Sequence, residues 1–114
     1  MSRHRISNLR VAALAFAAFA CTAGAADDAA QRALGKKLFT ETAVPACALC
    51  HALKDAGAEG AVGPVLDEIK PDAARVAKAL RDGLGQMPSY KGRLSEEQIA
   101  ALASYVSKAS GGAP

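Results

Sequence analysis

The run Cys47-Ala48-Leu49-Cys50-His51 places two thiols and an imidazole within five consecutive positions of a 114-residue chain. Two cysteines three residues apart on a helical turn can each form a thioether with a vinyl group of haem. The histidine directly after them is then held beneath the porphyrin, where it can ligate the iron. A chain with such a run has to wrap its remaining apolar residues around a flat, cross-linking cofactor.

The first 26 residues read as separate from that fold. Arg3, Arg5 and Arg10 make a basic start, and positions 11–20 are an unbroken apolar run. Gly24 and Ala26 then stand at the -3 and -1 positions of a cleavage site. This is the pattern of a secretory signal peptide, with Asp27 the first mature residue. A retained membrane anchor fits less well, because a span needs about 20 apolar residues and the stretch from Val11 to Ala26 is shorter. A lipoprotein reading through Cys21 would want a large aliphatic three positions earlier, where Ala18 stands. His4 separates Arg3 from Arg5, so there is no twin-arginine pair. The expected organisation is a signal peptide over 1–26 and one haem domain over 27–114. Haem attachment after export in bacteria places that domain in the periplasm, with no membrane contact expected once the leader is gone.

Loss of the leader changes the charge balance. Without its three arginines, the 14 basic residues fall level with the 11 acidic ones. A near-neutral chain with no basic stripe interleaved with aromatics has no footprint for nucleic acid. A single domain of this size buries little apolar surface and usually needs a staple. A haem bonded at two points would supply one. A disulfide between Cys47 and Cys50 would close only a tiny loop and stabilise far less than a long-range bridge.

Three segments read as helices and none as a strand. From about Asp28 to Thr40, Ala30, Leu34 and Leu38 share one face, with Gly35 and Phe39 beside them. Gly35 inside a helix costs roughly 1 kcal/mol relative to Ala, which close approach of another helix would explain. A second helix is expected near 72–82, with Pro71 and Asp72 at its start and Gly83 at its exit. The last begins at the capping box Ser95-Glu96-Glu97-Gln98. Ile99, Leu102, Ala103 and Val106 then form its apolar stripe, which ends at Gly111 and Gly112. Two Gly- and Pro-rich loops, 56–64 and 83–93, lie between these helices, where backbone can approach a buried ligand.

Other chemistries for the motif are weaker. A structural zinc needs four protein ligands, and Cys47, Cys50 and His51 exhaust the Cys and His of the processed chain. A redox dithiol belongs after a strand in an alternating strand-helix pattern, which is absent. It remains the main alternative to covalent haem.

If His51 binds iron, a second axial position has to be filled. Met87 is the only methionine after cleavage, and it stands in the loop Gly85-Gln86-Met87-Pro88, poorly placed for helix packing. The loop after the second helix can return across the other haem face, so Met87 is the expected sixth ligand. A thioether favours ferrous iron and raises the reduction potential. A ligating imidazole usually donates its other N–H to a carbonyl, and the Gly63-Pro64 pair makes the Pro64 oxygen the candidate. Leu49, Leu66, Val76, Leu80, Leu84 and Ile99 are expected haem-wall residues. Tyr90 either hydrogen-bonds a propionate or packs, and Arg75 and Arg93 are further propionate candidates.

On these residues, together with Leu102 and Tyr105, the sequence resembles the class I, single-haem cytochromes c of bacteria over essentially all of 27–110. The resemblance implies an all-α fold of three main helices plus a short Cys-x-x-Cys-His helix around one covalent haem c. It implies a crossing of the first and last helices at Gly35 and Tyr105, thioethers from Cys47 and Cys50, and axial ligation of the iron by His51 and Met87. It also implies the Pro64 carbonyl as partner of His51. The expected role is one-electron transfer without substrate chemistry. The partners would be redox proteins, with a periplasmic dehydrogenase as donor and an oxidase or another cytochrome as acceptor. More narrowly, the short chain looks like the small cytochrome subunits or partners of periplasmic sulfite dehydrogenases. The lysine-rich docking ring of the family's mitochondrial members is absent.

Overall fold

The structure, a computed structural model, describes residues 22–114. Most of the signal-peptide reading, 1–21, lies outside the described residues. Among the described residues no helix is long and apolar enough to cross a membrane.

The order along the chain is α1 (Thr22–Lys37), a π-helical turn (Leu38–Thr42), a 3-10 turn (Cys47–Leu49) and β1 (Ala52–Leu53). A second 3-10 turn (Lys54–Ala56), β2 (Ala58–Glu59), α2 (Leu66–Ile69), α3 (Ala73–Asp82) and α4 (Glu96–Ser110) follow. The three expected helices are α1, α3 and α4. The Cys-x-x-Cys-His segment forms only a 3-10 turn, and α2 is an added single turn. Two pairs of residues, Ala52 with Glu59 and Leu53 with Ala58, make a small antiparallel ribbon in place of an all-loop connection. Strands of two residues leave no periodicity for a sequence to display.

The helix ends follow from side-chain chemistry. Asp72 Oδ1 accepts the Arg75 N–H at 2.7 Å and caps α3. At α4 the Ser95 Oγ accepts from Gln98 N at 3.1 Å, and Gln98 Oε1 accepts from Ser95 N at 2.9 Å, so both halves of the box form. Gly111, at φ +83°, ends α4 in the left-handed conformation that glycine tolerates. The chain then folds back, and the Ala113 carbonyl accepts from the Ser107 hydroxyl and from Ala73 N at the start of α3.

The core forms where α1 meets α4. A Cβ on Gly35 would fall 2.5 Å from the Ala101 carbonyl oxygen and closer still to Tyr105 Cβ. Only glycine lets the two backbones come this near, which offsets its cost within a helix. The π-helical turn then swings Leu38 and Phe39 inward, and the Phe39 ring meets Tyr105 edge to face at 6.1 Å. Leu53, Ile99 and Leu102 complete a fully buried cluster. The rest of the fold, from the thiol turn to the loop before α4, hangs on this crossing.

Candidate functional site

An apolar cavity of about 450 Å³ opens beside that core. Cys47, Cys50, His51, Pro64 and Met87, far apart in sequence, all line it. In a 3-10 turn, side chains at i and i+3 eclipse one another, so Cys47 and Cys50 present their thiols on one face. Leu49 falls on the other and is 68% exposed, which corrects its expected place in the wall. The two thiols are free, not joined in a disulfide. Burial pushes the Cys47 thiol up to about 11, with the neighbouring Cys50 adding to the effect against its backbone hydrogen bond. Desolvation of this kind disfavours the thiolate, the form that dithiol redox chemistry needs.

His51 is fixed from two sides. Its Nδ1–H donates to the Pro64 carbonyl oxygen at 2.8 Å, which leaves Nε2 as the nitrogen with a free lone pair. Gly63 lies flat against the ring, since a Cβ there would sit 2.6 Å from Cε1 and 2.8 Å from Nδ1. Gly60 packs as closely on the thiol turn: its Cβ would come within 2.6 Å of the His51 amide nitrogen. The 60–64 segment therefore acts as a backbone brace for the imidazole, joined also by the Gly63 N–H to the Cys50 carbonyl at 2.7 Å.

Met87 is held by a tight turn. Leu84 and Met87 exchange backbone hydrogen bonds of 3.0 Å each, with Gly85 at φ +58° between them. Gly83, at φ +73°, has the Met87 carbonyl 2.9 Å from where a Cβ would be, so both conformation and space require glycine. The loop is tied back to α3 by the Tyr90 N–H to the Leu80 carbonyl at 2.7 Å and by the Ser89 hydroxyl to Arg81 O at 2.5 Å.

Of the expected wall residues, Leu66, Val76, Leu80 and Leu84 line the cavity, whereas Ile99 is wholly buried in the core and does not border it. Phe39, Ile69, Leu102 and Val106 line it unforeseen as wall residues. Leu102 and Val106, at i and i+4 of α4, carried the only advance signal, an apolar stripe that does not say which side of the core it serves. The Tyr90 hydroxyl donates to the Pro45 carbonyl at 2.6 Å and so anchors the chain two residues before Cys47. Burial, with the nearby Cys47 and Cys50, pushes that hydroxyl up to about 12.

A second brace joins the ribbon to the helix crossing. Tyr105 Oη donates to Asp55 Oδ2 at 2.7 Å, and the same carboxylate meets Arg32 at 3.4 Å and Lys36 at 3.6 Å. The Tyr105 hydroxyl holds Asp55 below its ordinary 3.8, aided by Lys36 and Arg32. On the α2 side, Asp67 Oδ2 accepts the Lys54 N–H at 2.9 Å.

Comparison with known proteins places this arrangement. A family model described as cytochrome c oxidase, cbb3-type, subunit III matches residues 30–106. The chain belongs to that family, and it is a class I, single-haem cytochrome c. Among its relatives, cytochrome c-551 of Halorhodospira halochloris is 32% identical over 73 residues, 63% of this chain and 92% of the relative. Cytochrome c6 of Leptolyngbya boryana is 34% identical over 81 residues, 68% of this chain and 91% of the relative. The crystal structure of the c-type cytochrome SorU from Sinorhizobium meliloti superposes with a TM-score of 0.70. It is 50% identical and covers 75% of this chain and 97% of SorU. The family's cofactor is one covalently bound haem c, and its members transfer electrons rather than catalyse reactions. The cavity fits such a group: it is apolar, it is bordered by two free thiols, and one imidazole and one thioether line it.

Proposed function

We propose that the chain is a periplasmic one-electron carrier in which Cys47 and Cys50 tether the haem and His51 and Met87 occupy the two axial positions. The hydrogen bond from His51 Nδ1 to Pro64 O is the observation that carries this reading. It leaves the Nε2 lone pair free on a residue that lines the same apolar cavity as Met87, and a carbonyl partner strengthens an imidazole as a ligand. Bound haem supplies the chemistry, an iron that cycles between ferrous and ferric. The protein's own residues do the rest: Gly63 and Pro64 fix the imidazole, the Leu84–Met87 turn positions the thioether, and the apolar wall keeps water away. Rigid bracing on both sides favours fast electron transfer, because little has to move when the charge changes. With both axial positions filled by protein, no site is left open for oxygen or peroxide.

Export fits the burial pattern of α1. Positions 23–33 are all exposed, so among the described residues cleavage before Asp27 removes no buried side chain. The mature unit is then 27–114.

A second reading is a tightly bound electron-transfer subunit of a periplasmic dehydrogenase such as sulfite dehydrogenase. An apolar surface favours it: Val44, just before the thiol turn, and Leu49 within it lie outside the cavity lining and are 75% and 68% exposed. Exposed apolar side chains on a near-neutral protein suit a short-range contact better than long-range steering. Copurification with a larger catalytic chain separates this reading from a free carrier.

The test is the mass of the exported protein after denaturation. The proposal expects the 27–114 polypeptide plus one haem, and Cys47→Ser with Cys50→Ser should abolish that adduct. Haem lost on denaturation, or an adduct retained by the double variant, would overturn it.

A further inference from the structure

Arg75 is the one residue of the cavity lining that carries a full charge. Its neighbours in the lining, Ile69, Pro71, Val76 and Ala79, are apolar. Among the described residues its guanidinium has no carboxylate within ion-pair distance, although Arg32 pairs with Asp55 and Arg81 with Glu96. Arg75 also stands in the first turn of α3, three residues after the Asp72 cap. The helix dipole disfavours a cation at that end and favours an anion. An unpaired arginine, at the positive end of a helix and on the wall of an apolar cavity, is a site waiting for a carboxylate.

Haem carries two carboxylates, and both lie on the edge of the macrocycle opposite its vinyl groups. A haem tethered through thiols therefore presents its propionates to a part of the wall away from those thiols. The other unpaired arginine, Arg93, acts on Tyr90, next to the thiol turn, and does not line the cavity. Tyr90 has already committed its hydroxyl to Pro45. We propose that Arg75 is the haem-propionate partner, and that the pair both orients the haem within the cavity and raises the reduction potential of its iron. The proposal rests on the haem reading above. Arg75 forms a charge-assisted hydrogen bond with the propionate, and the planar guanidinium suits bidentate contact with a carboxylate. The guanidinium cancels a negative charge that would otherwise stabilise ferric iron.

The test is spectroelectrochemical titration of purified holoproteins at one pH and ionic strength. Arg75 is exposed, so its replacement leaves the core intact. In Arg75→Gln, the ferric-to-ferrous ratio at a fixed applied potential should rise roughly three- to tenfold, the size Coulomb's law gives one charge in a partly solvated setting. Arg75→Lys should restore most of the difference, and Arg93→Gln should leave the ratio near wild type. An unchanged ratio in holo Arg75→Gln would overturn the assignment, as would an equal shift in Arg93→Gln. Haem content by pyridine haemochrome keeps the two levels apart. A wild-type protein without covalent haem sinks the parent reading, whereas a fully loaded Arg75→Gln with wild-type potential sinks only the role of Arg75.

Discussion

Tyr105 Oη and Asp55 Oδ2 meet at 2.7 Å across fifty residues of sequence. The bond links α4, at the point where α1 crosses it, to the 3-10 turn that follows the histidine. It fastens the ligand segment to the most buried part of the molecule. Because Asp55 titrates below its ordinary 3.8 in the folded protein, its contribution to stability is complete above that value. It is lost as the pH falls through the lower, folded value. Thermal unfolding of Tyr105→Phe, compared with wild type at neutral pH, should reveal a loss of about 1 to 2 kcal/mol. The gap should narrow below about pH 4, where the carboxyl takes up its proton in the unfolded chain. A gap independent of pH down to the acid limit would mean that the hydroxyl matters only through packing.

Gly35 sets the distance between α1 and α4. Gly35→Ala would gain roughly 1 kcal/mol of helix propensity but place a methyl 2.5 Å from the Ala101 carbonyl oxygen. Separating the helices to relieve that overlap should cost roughly 1 to 3 kcal/mol and outweigh the gain. Urea denaturation should find the variant less stable; a more stable variant would show that the helices have room to part.

Gly63 acts on the imidazole directly. A methyl at that position would stand 2.6 Å from His51 Cε1, so Gly63→Ala should tilt the ring and weaken its bond to Pro64 O. The Nδ1 proton of the variant should then exchange with solvent roughly tenfold faster, through local opening. Proton NMR of the ferrous protein reads this exchange. An unchanged exchange rate would mean that Pro64, rather than Gly63, holds the ring alone.

Local chemistry was legible in advance. The capping box of Ser95 and Gln98, the Asp72 cap and the glycine at position 111 each involve neighbours in sequence, and each forms as its residues dictate. The His51 to Pro64 bond also spans only a short loop. Long-range placement was harder. Ile99 and Leu102 occupy the same stripe of α4 and the same buried cluster, yet only Leu102 also borders the cavity. Periodicity finds a buried face but does not divide it between two sides of a core. Leu49 was misplaced for a different reason: a 3-10 turn aligns Cys47 with Cys50 and turns the residue before Cys50 outward. Asp55 carried no signal at all, since its partners Tyr105, Arg32 and Lys36 converge only after the helices cross.

The proposed axial role of Met87 is tested most directly by the optical spectrum of the ferric holoprotein, with Met87→Ala beside it. Wild type should show the weak long-wavelength absorption of a thioether bound to ferric haem, and its ferrous form should resist carbon monoxide. Met87→Ala should lose the band, bind carbon monoxide readily and have a lower potential. A folded ferric wild type without the band, or a Met87→Ala protein that retains it, would contradict the assignment.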